Sequence, residues 1–216
     1  MLSVRSLSFS FEHRNLFQGV SFDLNPGELI HLTGSNGVGK STFLSILAGL
    51  RSPGKGQIAF TGPDGSPVED LKTVCAYLSA ESNGLYLKMD AYENLRFWSG
   101  LRGLNPGDDL IRSTLSHWGL GNSLLIKNFP VEQFSTGMRR RLGLARLGLS
   151  QTPCWLLDEP VYGLDQKGID LFRLSLNEHL GEGGMAILIS HDLTALSGLA
   201  STSLSLDAVA TNDPAK

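Results

Sequence analysis

The sequence predicts an α/β fold with a parallel sheet core, an antiparallel β edge and an inserted, small α-helical subdomain. Apolar runs at 29–32, 154–157 and 185–190 are each followed by a helical pattern, as in the βα units of a parallel sheet. Residues 2–11 alternate apolar and polar side chains, which is typical of a strand with one buried face, as at an antiparallel edge. Between 88 and 149 the pattern is mainly helical, so we expect the subdomain there.

The stretch from 29 to 50 combines an apolar strand, a glycine-rich turn and a helix. The turn fits G-x-x-x-x-G-K-[ST] from Gly34 to Ser41, in the strand-to-helix context that this pattern requires. Its backbone N–H groups and the helix N-terminus can hold phosphates, Lys40 can reach the β- and γ-phosphates, and Ser41 can ligate Mg²⁺. We therefore predict a P-loop NTPase with a RecA-like core, against the alternative of a chance glycine-rich turn. The predicted phosphate-binding residues are Gly34, Ser35, Asn36, Gly37, Val38, Gly39, Lys40, Ser41 and Thr42.

The bulk composition limits the class of protein. With 216 residues, of which 41% are hydrophobic, the chain fits one domain with a real core. A net charge of −3 gives no global basic field, so nucleic acid is not expected as a partner. No apolar run is long enough to span a bilayer, and the N-terminus lacks the apolar core of a signal peptide. Cys75 and Cys154 lack metal-ligand spacing and are expected to be reduced core residues of a cytosolic protein.

Further elements are expected around this framework. Residues 74–80, VCAYLSA, are predicted to form a strand, and a helix is expected over 166–180. Asp90 has the position of an N-cap for the helix AYENLRFWSGL, whose Phe97 and Trp98 either pack in the core or dock a partner. The predicted boundaries are 1–210 for one domain, with 1–87 and 150–210 as nucleotide-binding core and 88–149 as helical subdomain, and 211–216 for a disordered tail.

Two carboxylates end the apolar strand WLLDE. Because the carboxyl ends of parallel strands face the ligand crevice, Asp158 is expected to meet the Mg²⁺ that Ser41 binds. Glu159 is one residue further and points elsewhere, which suits a general base that orients the attacking water. The alternative is a solvated strand end before the turn at Pro160.

His191 follows the next apolar strand and is therefore expected at the same edge of the sheet, where it is predicted to hydrogen-bond a γ-phosphate oxygen. A lone histidine is otherwise most often structural. We assign that structural role to His13, His31, His117 and His179.

The order of these motifs gives the chain a family resemblance. The matched segments are GSNGVGKST, FSTGM at 134–138, WLLDEP, GLD at 163–165 and ISH at 189–191. Over nearly the whole length, this order resembles the ATP-binding-cassette (ABC) ATPase subunits. That family usually has Leu-Ser-Gly-Gly-Gln where this chain has FSTGM. Ser135 and Gly137 keep the pattern, whereas Thr136 and Met138 depart from it.

The resemblance implies an ATPase that works as a head-to-tail dimer. ATP held by Lys40 of one subunit would be covered by Ser135 and Gly137 of the other, at a helix N-terminus. Asp165 would lie at the seam between the two subunits. ATP and Mg²⁺ are therefore the implied cofactors.

Two further site residues are assigned through this resemblance. Phe11 matches the family's adenine-stacking aromatic, although its place in the sequence suits core packing equally well. Glu81 lies nearest to the position of the family's usual metal-contacting glutamine, so it is a candidate Mg²⁺ ligand. A carboxylate there could ligate the metal more strongly, but it adds charge beside Asp158 and Glu159.

Several segments, including ENLRFW, RRRLGLARL and HLGEGG, further resemble the haem-exporter ATPase subunits of cytochrome c maturation (CcmA type). That resemblance implies a peripheral subunit on the cytoplasmic face of the inner membrane, which powers an integral membrane permease. An ATPase subunit of another exporter, for drugs, lipids or ions, is an alternative that Thr136 and Met138 would suit. A soluble ABC protein acting on ribosomes or DNA is a second class, disfavoured by the single cassette and the acidic charge. A small-molecule P-loop kinase is a third, which the helical region does not fit.

Overall fold

The fold comes from a computed structural model that describes residues 1–11, 14–80, 83–121 and 129–207. Strands in these ranges form two sheets, and helices pack on them. The strands are β1 Leu2–Phe11, β2 Arg14–Leu24, β3 Leu29–Thr33, β4 Lys55–Thr61, β5 Pro67–Val68, β6 Cys75–Leu78, β7 Cys154–Asp158, β8 Met185–Ile189 and β9 Thr202–Ser205. The α-helices are α1 Lys40–Leu47, α2 Leu71–Val74, α3 Ala91–Leu101, α4 Asp108–His117, α5 Thr136–Leu149 and α6 Gln166–Gly181, and 3₁₀ turns lie at Val131–Gln133 and Leu193–Leu196.

The parallel sheet has the order β6-β7-β8-β3-β9. Every neighbouring pair in it is parallel, which confirms the predicted sheet core. Its central strands β7 and β8 are buried at every position, as expected of strands covered on both faces. Strands β3, β7 and β8 therefore present their carboxyl ends at one edge of the sheet.

The alternating strands at the N-terminus are antiparallel, as predicted, and they form a sheet of their own with the order β2-β1-β4-β5. Helix α1 lies between this sheet and the parallel one. Its Phe43 ring meets Phe17 of β2 edge to face at 5.2 Å and belongs to the same buried cluster as Leu156 and Ile187 of the parallel sheet. Packing of both sheets on α1 thus fixes the helix that follows the phosphate loop.

The predicted strand at 74–80 is wrong at both ends. Val74 belongs to the short helix α2, and β6 covers only Cys75–Leu78. The carboxylate of Asp70 accepts a hydrogen bond from the Lys72 N–H at 3.0 Å, and such an N-cap begins a helical turn where the apolar pattern alone indicates a strand.

Helices α3, α4 and α5 lie between β6 and β7 along the chain and pack on one another, in agreement with the helical pattern. Asp90 is the N-cap of α3, as predicted. The buried side chains of these helices share one cluster with Leu157 and Leu188, on the face of the parallel sheet opposite α1. The division into a core and a subdomain stays a prediction. His13 and the tail at 211–216 lie outside the described residues.

Cys75 and Cys154 are adjacent across β6 and β7, and both are buried and free of disulfide bonds. The hydrogen bond with the Cys75 thiol, together with burial, raises the pKa of Cys154, so the thiol form is favoured. This agrees with the predicted reduced core cysteines. Among the described helices, none is long and apolar enough to cross a membrane.

Candidate active site at the carboxyl edge of the parallel sheet

The phosphate loop connects β3 to α1 and is shaped by its glycines. Gly39, the N-cap of α1, has a φ of 106°, and a Cβ there would lie 3.0 Å from the Leu16 Cβ. Glycine is therefore required both by the backbone conformation and by the close approach of β2. The Lys40 ammonium donates to the carbonyl oxygens of Gly34 at 2.7 Å and Ser35 at 3.2 Å. The lysine is thus held over the loop by neutral acceptors that a phosphate can replace.

The first residue of β2 lies against this loop. The Arg14 guanidinium donates to the Gly37 carbonyl at 3.2 Å, and Arg14 pairs with Phe11 across β1 and β2. The Phe11 side chain is 56% exposed, so core packing is excluded and its ring is available beside the loop. Sequence reasoning missed Arg14. A basic residue close after the candidate aromatic was the only signal for it.

A second residue that sequence reasoning missed is Asp207, just after β9. Its Oδ2 accepts from the Ser35 N–H at 2.8 Å, and its Oδ1 accepts from the Ser35 hydroxyl at 2.7 Å. No pattern in the sequence pointed to it, because the two residues are 172 positions apart.

The two carboxylates lie at the end of β7, as predicted. Asp158 is 3% exposed and pairs with Ile189 of β8. Glu159 has a φ of 49°, and its N–H donates to the Ile189 carbonyl at 2.9 Å. This left-handed residue ends the strand and turns the chain, which separates the directions of the two side chains. A solvated strand end, the alternative for these residues, does not describe Asp158.

His191 lies beside Glu159. Its backbone N–H donates to the Glu159 Oε2 at 3.3 Å, and its Nε2 is 3.7 Å from the Oε1. Strand β8 ends at Ile189, two residues before the histidine. The histidine and the candidate base Glu159 therefore lie side by side at the carboxyl edge of the parallel sheet.

Three of the other histidines make structural contacts, as predicted. His31 reaches the Ser190 carbonyl at 3.3 Å, and His117 reaches the Ser175 hydroxyl at 3.4 Å. The His179 ring stacks on Trp155 at 4.0 Å, and burial lowers the pKa of His179.

The serine segment and the GLD segment meet within one subunit. Ser135 is exposed and is the N-cap of α5, where its hydroxyl accepts from the Met138 N–H at 3.2 Å. A Cβ on Gly137 would lie 2.7 Å from the Gly163 carbonyl, so only glycine fits there. Asp165 caps α6 by accepting from the Gly168 N–H at 2.9 Å and also pairs with Arg141. The Gly168 N–H and then Arg141 lower the pKa of Asp165, which therefore stays ionised.

Arg140 of α5 is a third residue that sequence reasoning missed. Its side chain is 2% exposed, and its guanidinium donates to the carbonyls of Ser79 at 3.0 Å and Ala80 at 3.1 Å. Burial lowers the pKa of Arg140, while the charges of Asp158 and Glu159 oppose that shift. In the sequence, the arginine run at 139–141 lies inside a helical pattern, which does not indicate that one of the three is buried.

The candidate metal ligand Glu81 lies outside the described residues. Within the described ranges, no group of three or more His, Cys, Asp or Glu side chains could hold a metal ion. Asp158 and Ser41 offer hard oxygens, which fit a Mg²⁺ ion that takes its other ligands from phosphates and water.

The chain is similar to known proteins both in sequence and in fold. The ABC transporter family profile covers residues 17–162. A "Cytochrome c biogenesis ATP-binding export protein CcmA" from Cupriavidus necator is 37% identical over 194 residues, covering 89% of this chain and 84% of that protein. The protein of that name from Escherichia coli K12 is 35% identical over 192 residues, covering 88% of this chain and 89% of its own. The "Structure of ATP binding subunit of ABC transporter" has a TM-score of 0.82 at 28% identity, over 95% of this chain and 85% of that one. The chain belongs to the ABC transporter family, as an ATP-binding, ATP-hydrolysing subunit.

Proposed function

We propose that this ATPase powers an export step in cytochrome c biogenesis, from the cytoplasmic face of the membrane, through a separate permease. The observation that carries the proposal is the convergence of Lys40, Asp158, Glu159 and His191 at the carboxyl edge of the parallel sheet, in a chain about one third identical to CcmA proteins over most of its length. The resemblance of ENLRFW and HLGEGG to haem-exporter subunits supports haem as the transported compound.

Each residue at this edge has a role that its surroundings support. Lys40 leaves the loop carbonyls and binds the β- and γ-phosphates, while N–H groups of the loop after Ser35, up to Thr42, hold the remaining oxygens. Ser41 and Asp158 would hold Mg²⁺, which supplies charge neutralisation at the phosphates when it is bound. Glu159 orients the attacking water, and His191 contacts the γ-phosphate beside it. Phe11 stacks on the adenine.

The site is completed by a second copy of the chain. Ser135 and Thr136 are exposed at the N-terminus of α5, a helix end whose N–H groups favour an anion. Ser135 and Gly137 of one subunit would therefore cover the γ-phosphate bound by the other, with Asp165 at the seam. ATP then joins the two subunits, and hydrolysis separates them.

The permease is proposed to dock in a groove between α1, β6, α3 and α5. This groove has a volume of about 410 Å³ and is lined by Ala48, Leu50, Lys72, Trp98, Arg102 and Arg146, among others. Arg102 donates to the Cys75 carbonyl at 3.1 Å, and Arg146 lies 4.5 Å from the centre of the Trp98 ring. Burial, and then the charge of Arg102, lowers the pKa of Arg146 to about 10. None of the described lining residues carries a carboxylate. An occupant with an acidic side chain beside apolar ones would neutralise this pair of arginines.

Complementation tests the function. In a bacterium that lacks its own CcmA protein, the wild-type chain expressed with its cognate permease should restore haem-stained c-type cytochromes, and Lys40→Ala should not. Restored efflux of a drug or lipid without cytochromes would favour another exporter. Co-purification with ribosomal RNA or DNA in place of a permease would favour the soluble class.

Charge reversal tests the docking groove. Arg102→Glu should abolish co-purification with the permease, while the isolated subunit keeps its ATP affinity. Arg112→Glu is the matched control, because Arg112 is on α4, where it lies over the Tyr92 ring of α3 and does not line the groove. Permease binding that survives Arg102→Glu would remove this groove as the docking site.

A further inference from the structure

The phosphate loop is held at its first two residues by two oppositely charged side chains, Asp207 and Lys40. Asp207 accepts both side-chain and backbone hydrogen bonds from Ser35, at 2.7 and 2.8 Å. Lys40 donates to the carbonyls of Gly34 and Ser35, at 2.7 and 3.2 Å. A carboxylate thus binds the donors of this dipeptide, and an ammonium binds its acceptors.

The carboxylate is fixed by the sheet and not by the loop. Strand β9 pairs with β3 up to Ser205 and Thr33, and the Leu206 N–H donates to the Thr33 carbonyl at 3.0 Å. Leu206 is fully buried. Asp207 therefore follows a segment that is already anchored, and its two hydrogen bonds to Ser35 are not needed to hold β9 in the sheet.

Binding of phosphate would remove the hydrogen bonds of Lys40 to this dipeptide and leave those of Asp207 in place. When Lys40 turns to the phosphates, the Gly34 carbonyl loses this donor, and the Ser35 carbonyl keeps the hydrogen bond from the Val38 N–H at 3.3 Å. We propose that Asp207 is a positioning residue, which keeps the Gly34–Ser35 backbone in its phosphate-binding conformation while Lys40 exchanges the loop carbonyls for the nucleotide. This inference rests on the role of Lys40 proposed above.

Two substitutions separate this role from a simple tether and from charge repulsion. Asp207→Ala removes both acceptors, so the Kd for the fluorescent analogue mant-ATP should rise roughly tenfold, the scale of a lost charge-assisted hydrogen bond. Asp207→Asn keeps an acceptor for the Ser35 N–H, and its amide can donate to the hydroxyl oxygen, so the Kd should stay within about twofold of wild type. Titrations of the purified full-length chain give the Kd, and thermal unfolding of each variant gives the Tm.

A matched control exists on an exposed turn. Asp64 also accepts from one serine, through the Ser66 N–H at 3.0 Å and its hydroxyl at 2.6 Å, but it lies before β5 in the antiparallel sheet. Asp64→Ala should leave the Kd unchanged. Ser35→Ala removes only the hydroxyl contact, so adding Asp207→Ala to it should raise the Kd less than in the wild-type background.

The measured Kd and Tm values distinguish a positioning role of Asp207 from a simple tether and from charge repulsion. If Asp207→Ala and Asp207→Asn lower the Tm alike and leave the Kd unchanged, Asp207 is only a tether and the inference is wrong. Tighter binding in both variants would mean that the carboxylate merely repels the nucleotide, which also overturns it. Lys40→Ala should lose mant-ATP binding. If it does not, the proposed role of Lys40 fails, whereas a loss in Lys40→Ala with no change in Asp207→Ala rejects the positioning role alone.

Discussion

The backbone of Glu159 lies in the left-handed region, at a φ of 49°. That conformation costs a non-glycine residue about 1–2 kcal/mol, so the surrounding contacts must hold it. Its N–H donates to the Ile189 carbonyl at 2.9 Å, and its carbonyl accepts from the Tyr162 N–H at 3.1 Å. Strain at this position is consistent with a carboxylate that must face His191 and not follow Asp158 into the core.

Replacing Glu159 tests its catalytic role. In Glu159→Gln the amide keeps the size of the side chain but cannot act as a base, so kcat should fall at least about 100-fold while ATP still binds. Phosphate release gives kcat, and nucleotide titration gives the Kd. Glu178→Gln, an exposed change on α6, is the control and should retain both values. Turnover close to wild type in Glu159→Gln would remove this residue from its proposed role.

The lowered pKa of His179 makes the stability of the fold depend on pH. Burial lowers its pKa below the value of about 6.5 that the unfolded chain has, although the hydrogen bond with the Met185 carbonyl and then the charge of Glu182 oppose the shift. The unfolded chain therefore binds the proton more readily, and the folded state loses stability as the pH falls below about 6.5. His179→Phe keeps a flat ring against Trp155 but cannot titrate, so the drop in unfolding free energy between about pH 7.5 and 5.5 should be smaller. Urea unfolding at both pH values measures this drop.

His117→Phe is the exposed control for this prediction and should show the same drop as wild type. An equal drop in His179→Phe and wild type would contradict the prediction.

Single residues also show what could be predicted from the sequence. The placements of Asp158, Glu159 and His191 were predictable because the ends of parallel strands converge on one edge of a sheet. Asp207 and Arg140 were not, because the first meets the loop from 172 positions away and the second reaches carbonyls 60 and 61 positions away. Local periodicity carries no information on such distant contacts.

At the scale of elements, α3 illustrates a local rule that the structure obeys. The Asp90 Oδ1 accepts from the Glu93 N–H at 2.8 Å, and the Glu93 carboxylate accepts from the Asp90 N–H at 3.0 Å. This capping box satisfies two donors at the helix start. Asp90→Ala should lower the unfolding free energy by about 1 kcal/mol, as measured by urea denaturation. Asp109→Ala, in the first turn of α4 where no side chain caps the helix, should cost only a few tenths of a kcal/mol. Equal losses in the two variants would contradict the role of the cap.

Strand partners were harder to predict than strand positions. The alternation at 2–11 indicated one buried face, yet it did not indicate that these strands form a sheet separate from the parallel one. Alternation reports which face is buried, whereas the hydrogen-bonding partner depends on how the chain packs as a whole. Here Phe43 of α1 provides that packing, since its ring contacts both Phe17 and Phe22 of β2.

At the scale of the whole molecule, α5 links the proposed dimer contact to the catalytic edge. Its N-cap is the exposed Ser135, and its buried Arg140 reaches the end of β6 near Asp158 and Glu159. The same helix ends beside the groove that contains Arg146. A displacement of Ser135 by a nucleotide on a second subunit would therefore reach both the catalytic carboxylates and the proposed permease site through one rigid element.

The nucleotide-dependent dimer is the prediction that depends on the whole molecule. Glu159→Gln should bind ATP and Mg²⁺ without turnover, so it should accumulate as a dimer in sedimentation experiments, because two nucleotides then stay between the subunits. Adding Lys40→Ala should return it to monomer by removing phosphate binding, and adding Ser135→Arg should do so by placing a bulky side chain at the seam. Ser113→Arg, an exposed change on α4, is the matched control and should leave the dimer intact. A Glu159→Gln chain that stays monomeric at saturating ATP and Mg²⁺, even with its permease present, would contradict the shared site, since Ser135 would then have no nucleotide to cover.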